Sequence, residues 1–335
     1  MSAVRIQRFA LDDGCGLQLE LMDWGASWLS ARLHGRELLL GHADPAAYRE
    51  QSAYMGAIVG RVANRIAGAA FSLQGRQHRL AANEGVNQLH GGPGGFHNRA
   101  WRGLRHSSTR VDFTLDSADG DQGFPSRLRA TASYRITAAQ QVEIHFEVEN
   151  LGAIDTVAGL TSHAYFGLDG PEQGVLGQTL CLQADKVLPV CPDLLPTGEF
   201  MNVAGTPFDF RQPRSLGEGL AMQHEQLQRA GGYDHCWLLQ PGLGPALQLV
   251  SADERRSLCL DTSYPALQIY GGQYLDRSRD RLGRPFAPRA GLAIEAQYPP
   301  DTVHHLGEPD WPQAGFVLRP GQTQRHWIRI RFEQR

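Results

Sequence analysis

The chain has 335 residues, a formal net charge of −3 and 20% charged residues. That balance supplies no basic surface for nucleic acid or an anionic membrane, and no apolar run approaches the roughly 20 residues that span a bilayer. A hydrophobic content of 41% is that of an ordinary globular protein, while 38 glycines and 19 prolines favour many turns, and therefore strands over long helices.

The N-terminal run MSAVRIQRFALDDG alternates and then turns, without the continuous apolar segment of a secretory signal. Leu17-Gln-Leu-Glu-Leu21 is the next period-two run. Asp44 followed by Pro45 and Ala46-Ala47-Tyr48-Arg49 reads as an N-cap, a first-turn proline and a short helix. Residues 56–101 are dense in Gly and Asn, yet hold Arg61, Arg65, His78, His90, His97 and Arg99. Polar and ionisable side chains set among tight turns line a site more readily than they fill a core. Two pieces stand out there, Asn64-Arg65-Ile66 and Leu89-His90-Gly91-Gly92. The weak alternation of 71–80 around Gly75 predicts a hairpin that carries both to one place. Arg61 reads as half of a structural ion pair, and Arg65 has the same alternative open to it.

Further on, Val111, Phe113 and Leu115, then Leu128, Ala130, Ala132 and Tyr134, then Val142, Ile144, Phe146 and Val148 each alternate with polar residues. Ile328, Ile330 and Phe332 do so at the C-terminus, after Pro320-Gly321. The turn-rich stretch 185–213 reads as a long excursion, too apolar for a domain linker. Residues 219–229 predict a second short helix closed by Gly231-Gly232. Well over a dozen strand candidates at short spacing, with no internal repeat, predict an all-β fold: one large antiparallel β-sandwich domain over 1–335 with a few short helices. Cys15, Cys181, Cys191, Cys236 and Cys259 are scattered, odd in number and without C-x-x-C spacing. They predict free, mostly buried thiols in a reduced, cytoplasmic compartment.

Candidate chemistry is sparse. His163 interrupts the apolar LTSHAYFGL (160–168), as a hydrogen-bonded core histidine or as a functional group. Glu295 in GLAIEAQYP (291–299) shares a strand face with Ala293, opposite Leu292 and Ile294, and is either surface or functional. Asp234 follows Gly231-Gly232 and is either a turn residue or a ligand for polar groups. No H-E-x-x-H, paired-Cys spacing or acidic calcium loop occurs, so no metal is expected. His304-His305 would point to opposite strand faces and make a poor chelate. Neither a phosphate loop nor G-x-S-x-G is present.

In sequence order, GRVANRI (60–66), NEGVNQLHGG (83–92), Gly95-Phe96 with Trp101, DQGFPSRL (121–128), LTSHAYFGL, GGYDHCWLL (231–239), LDTSYPALQIYGG (260–272), AIEAQYPPD (293–301) and VLRPGQT (317–323) resemble the motifs of the aldose 1-epimerases, or galactose mutarotases. The resemblance covers most of the chain. It implies the galactose mutarotase-like supersandwich and cofactor-free interconversion of the anomers of a free aldose. It also implies Glu295 as general base, His163 as general acid and His90 as a second active-site histidine. Asn64, Arg65, Asp234 and Gln268 match sugar-binding positions, and Tyr165 a sugar-facing aromatic; Trp237 is a further aromatic, equally a core residue. The partner is then a monosaccharide, and the chain a monomer or homodimer. The alternatives are a non-catalytic sugar-binding protein, a glycoside hydrolase or lyase, or an epimerase of another aldose or a sugar phosphate. Gly167, Ser126, Gln322 and Gln324 depart from the family pattern and bear on substrate preference.

Overall fold

The computed structural model of the protein describes residues 6–50, 53–240, 242 and 244–335; the first five positions of the N-terminal alternation lie outside these. The expected period-two runs are strands. In Gln141–Asn150 the residues Val142, Ile144, Phe146 and Val148 are buried, while Glu143, His145, Glu147 and Glu149 lie on the wetter face. This strand is the fourth of nine in an antiparallel sheet ordered Arg102–Ser107, Arg110–Ser117, Leu128–Ala138, Gln141–Asn150, Thr323–Gln334, Arg256–Thr262, Leu247–Val250, Thr179–Leu182 and Arg214–Ser215. The C-terminal strand thus closes into the middle, paired on both sides.

A second antiparallel sheet has six strands, in the order Tyr165–Phe166, Leu292–Gln297, Ala266–Tyr270, Asp234–Leu238, Lys186–Leu188 and Met201–Asn202. Its last two strands come from the 185–213 stretch, which is therefore sheet edge as well as excursion. A four-stranded sheet, Arg8–Asp12 to Arg36–Glu37, completes the larger layers. One hydrophobic cluster takes Phe113, Tyr134, Ile328 and Phe332 from the nine strands, Phe166, Trp237, Leu267 and Leu292 from the six, and Phe9 and Leu19 from the four. Trp28 joins all three sheets: its ring lies 6.2 Å from Tyr134, 6.2 Å from Phe166 and 6.4 Å from Phe332, all edge-on.

The six-stranded sheet positions the site through its alternation. Leu292, Ile294 and Ala296 enter the main core, so Ala293, Glu295 and Gln297 point to the other face. The registers Cys236↔Gln268↔Glu295 and Asp234↔Tyr270↔Ala293↔Tyr165 place those side chains on that same face. Trp237 falls on the core side, fully buried, its indole donating to the Phe208 carbonyl at 3.0 Å. It is a core residue and not a sugar platform.

Local signals behave largely as their chemistry dictates. Asp44 Oδ1 accepts from the Ala46 amide at 2.8 Å and starts Pro45–Arg49, a 3₁₀ turn. The hairpin Ala70–Leu73/Arg76–Arg79 turns at Gln74-Gly75, both left-handed, as a two-residue hairpin loop requires. The helix expected over 219–229 is instead two. Leu216–Leu220 begins earlier on a Ser215/Glu218 capping box, and Glu225–Ala230 ends on left-handed Gly231. Left-handed Gln223 separates them. Only Cys236 and Cys259 are buried; Cys181 and Cys191 are half-buried and Cys15 is exposed. Arg61 is not paired to a carboxylate: it donates to Ser117, Thr156 and the carbonyls of Pro125 and Ala118, neutral oxygens that occupy its donors in a buried place.

Because Trp28 touches three sheets at once, Trp28→Ala should cost about 3–5 kcal/mol of stability. Urea unfolding followed by fluorescence and circular dichroism measures it; a loss under about 1 kcal/mol, the scale of ordinary surface substitutions, would contradict this account of the core.

Candidate active site

A cavity of about 370 Å³ opens on the outer face of the six-stranded sheet. It is lined by Asn64, Arg65, His90, His163, Tyr165, Asp234 and Glu295, so seven of the eight candidate site residues meet there. The eighth, Gln268, sits just behind them, buried, and its Nε2 donates to Asp234 Oδ1 at 2.6 Å. Its place is to hold Asp234; it does not itself line the cavity wall.

The loops complete the site. Asn64 and His90 lock one another: the Asn64 amide donates to His90 Nδ1 at 3.1 Å, and the His90 amide donates to the Asn64 carbonyl at 3.1 Å. Both are left-handed, at φ 63° and 51°, as is Tyr54 at 53°. Such backbone is strained for His and Tyr, and strain of this kind collects at functional sites. Gly91 makes the lock possible. At φ +83° its missing side chain leaves room for the Gly60 carbonyl, which an added Cβ would overlap. The 56–101 stretch therefore folds back on itself, as its two motifs suggest. Arg65 forms a fork with Glu84, Nε to Oε2 at 2.7 Å and Nη2 to Oε1 at 2.9 Å, so its structural and site roles coexist.

His163 Nε2 stands 3.6 Å from Glu295 Oε1, beyond a good hydrogen bond yet close enough for one small group to touch both. Both residues are at least 95% buried. Burial holds the His163 imidazole down at about 4 and pushes the Glu295 carboxyl well above its ordinary range, helped by Asp234 and opposed by Arg65. Burial likewise raises Asp234, against Arg65 and Gln268. Each group is thus driven toward its uncharged form. His90 is held far down by burial and by the neighbouring His163, His97 and Arg65. With Nδ1 accepting from Asn64, the neutral His90 ring carries its proton on Nε2 and acts as a donor.

His90, His163 and Glu295 offer donor atoms within 4.8 Å of one another, the geometry of a three-ligand metal site. The His90 tautomer opposes that use, because its Nδ1 lone pair is engaged and its Nε2 is protonated. The arrangement suits a neutral ligand with many hydroxyls. It offers a carboxyl and an imidazole side by side, an imidazole donor, an Arg–Glu fork and a half-buried Asp.

Sequence reasoning missed Tyr54, Glu84, Tyr270 and the rim residues Leu194, Tyr274 and Arg277. Tyr54 packs against the rings of His90, His97 and His163 at 4.6, 4.6 and 5.8 Å. Glu84 belongs to the NEGVNQLHGG segment, where its separation of 19 residues from Arg65 gives no local sign of pairing. Tyr270 had a signal, since it lies on the same face as Gln268 two residues on. None of Gly167, Ser126, Gln322 and Gln324 lines the cavity.

A family model described as aldose 1-epimerase matches residues 7–331. The chain belongs to that family. It is 40% identical over 322 residues to the aldose 1-epimerase of Escherichia coli K12, covering 93% of this chain and 91% of the relative. It is 31% identical over 341 residues to the galactose mutarotase of Bos taurus, covering 99% and 95%. An aldose epimerase homologue from C. elegans superposes with a TM-score of 0.89 at 27% identity, over 98% and 99% of the two chains. The galactose 1-epimerase of Lactobacillus acidophilus gives 0.86 at 25%, over 99% of each. The strand-built layers are the galactose mutarotase-like fold, and the aldose 1-epimerase is an isomerase of the mutarotase kind. Among the described residues no helix is long and apolar enough to cross a membrane.

The buried histidines set an acid limit on stability. His163 and His97 are held at about 4 and His235 at about 3, all by burial. A folded value below the unfolded ~6.5 gives stability that is present above pH ~6.5 and lost as pH falls toward 4. Urea midpoints across pH 4–8 should therefore drop steeply below about 6; a flat profile from pH 6.5 to 4 would contradict the neutral assignment.

Proposed function

We propose that this aldose 1-epimerase acts on a free hexose of the galactose or glucose type, with Glu295 as base and His163 as acid. The observation that carries the assignment is the 3.6 Å approach of Glu295 Oε1 to His163 Nε2 at the floor of a sugar-sized cavity. A cyclic hemiacetal bears its hydroxyl and its ring oxygen on one carbon, so the group that removes a proton and the group that supplies one must sit side by side.

In this reading Glu295 as carboxylate takes the proton of the anomeric hydroxyl. The O–H electrons form the carbonyl, the bond from the anomeric carbon to the ring oxygen breaks, and that oxygen takes a proton from the His163 imidazolium. The open aldehyde turns about its bond to the next carbon. Neutral His163 then removes the proton from the attacking hydroxyl while Glu295 returns its own to the carbonyl oxygen, which restores both groups. Atoms and electrons balance without oxidant, reductant or cofactor. Burial favours a neutral carboxyl beside a neutral imidazole, the protonation state of the open-chain stage. The site is thereby poised toward the intermediate, and positioned proton transfers of this kind contribute on the order of 100- to 10,000-fold per group.

His90 Nε2–H and Arg65 would steady developing charge on oxygen. Asp234, anchored by Gln268, and Asn64 would accept or donate to the remaining hydroxyls, and Tyr165 would cover an apolar sugar face. Of the two arginines that line the cavity, Arg65 is already forked to Glu84 and Arg277 is exposed, which favours a free sugar over a phosphate. A single domain is supported by the hydrophobic cluster that runs from Phe9 to Phe332. We further infer a cytoplasmic location and a monomer or homodimer.

Glu295→Gln should lower turnover by on the order of 100-fold or more while sugar still binds, and His163→Gln should behave alike. Polarimetry of fresh α-galactose and α-glucose, with binding by calorimetry, reads both; near-normal turnover in either variant would remove that residue from its role. Asp234→Asn separates this reading from a two-carboxylate hydrolase. Weakened sugar binding with residual mutarotation is expected, and an abolished hydrolytic activity would favour the hydrolase.

A further inference from the structure

Beneath the catalytic pair lies a second buried polar layer that the mechanism above does not use. The register Tyr165↔Ala293 and Phe166↔Leu292 is antiparallel. Continued by two and four residues, it sets His163 against Glu295, as their 3.6 Å separation bears out, and Thr161 against Gln297. Thr161 and Gln297 have no measurable exposure. The Thr161 hydroxyl, both amide atoms of Gln297 and Glu295 Oε2 are all buried without a hydrogen-bond partner.

Buried polar atoms in folded proteins are nearly always satisfied, and a group of orphans at one place calls for an explanation. Other such atoms lie scattered through the molecule, among them Arg135 Nε and both amide atoms of Gln178. These four instead gather on one face of two facing strands, beside the acid and the base.

We propose that Gln297 is a positioning residue for Glu295, holding Oε2 through a buried water, so that Oε1 stays aimed at His163 and the sugar. The inference rests on the reading of Glu295 as the base. The chemistry of the amide fits the task. The proton taken from the sugar sits on Oε1, so Oε2 is an acceptor in both states and needs a donor throughout. The primary amide supplies a donor, and its oxygen can accept from the bridging water. Gln268, across the sheet, is less suited: its Nε2 is engaged by Asp234, and its orphaned atom is the acceptor Oε1. Thr161 closes the layer on the His163 side, its hydroxyl again both donor and acceptor.

Loss of the donor disfavours the carboxylate and moves the Glu295 pKa further up. The test is the pH profile of mutarotation for Gln297→Met, which keeps length and apolar bulk but cannot hydrogen-bond as the amide does. Expected are a fall in kcat of roughly tenfold or more at neutral pH, KM for galactose within about twofold, and an alkaline limb of kcat/KM, the one Glu295 sets once its pKa lies above that of His163, displaced upward by roughly one pH unit. Thr161→Val, nearly isosteric, should move the same limb in the same direction by less. A folded Gln297→Met with parental kcat and alkaline limb would overturn the inference, as would a loss confined to KM. Should Gln297→Met not fold, Gln297→Asn decides by the same limb, because a shortened amide draws its donor back from the water that would bridge to Oε2; an unmoved limb overturns the proposal. Glu295→Gln in the same assay separates the two levels. An inactive Glu295→Gln beside a parental Gln297→Met removes only the positioning role, and an active Glu295→Gln removes the base itself.

Discussion

The constraint on which the site depends is the pairing of two strands. Tyr165–Phe166 runs antiparallel to Leu292–Gln297 with Tyr165 opposite Ala293, and everything chemical follows from that register. A slip of one residue would turn Glu295 into the hydrophobic core and bring Ile294 to the cavity, because side chains alternate with period two. The register is protected by its own hydrophobic cost. Leu292 and Ile294 are committed to the main cluster with Phe166, Leu267 and Ile269, and each is worth a few kcal/mol when buried. The apolar face of the sheet thus fixes the address of the polar face.

Having been placed, the proposed acid and base are tuned by the absence of water. His163 and Glu295 carry no strong local perturber that reverses the effect of burial; desolvation is the first cause for both, and it pulls their proton affinities toward each other from opposite sides. An imidazole and a carboxyl whose ordinary values differ by about two units are made to exchange their order. That inversion is useful to a reaction in which one group must accept a proton as its neighbour gives one up. Arg65 limits it: its charge opposes the rise of both Glu295 and Asp234, while its fork to Glu84 spares the cavity an unpaired cation.

The loop half of the site obeys a different logic. Asn64, His90 and Tyr54 hold left-handed backbone, which asparagine tolerates but which is strained for His90 and Tyr54. The reciprocal Asn64–His90 hydrogen bonds and the close approach of Gly91 to Gly60 hold that geometry in place. The same bonds fix the His90 tautomer, so backbone shape and proton position are set together. A histidine here is a donor because of an amide 26 residues away in sequence.

Much of this was legible in the chain. Period-two alternation in 111–115, 128–134, 142–148 and 328–332 identifies strands because a strand with one wet face has no other way to be written. The separated motifs identify the family and the residues to examine. The split of 219–229 into two helices was less visible, since a capping box begun at Ser215 and a left-handed Gln223 outweigh the apparent run. What tertiary structure alone decided is pairing and proton affinity. No local feature joins Arg65 to Glu84, Gln268 to Asp234, or Thr161 to Gln297, and none shows that Arg61 is met by neutral oxygens. Nor can it show that Glu295 is raised and His163 lowered, because desolvation depends on which strands cover a group. Sequence determined which faces are apolar; the folded sheet decided which polar atoms those faces bring together without water.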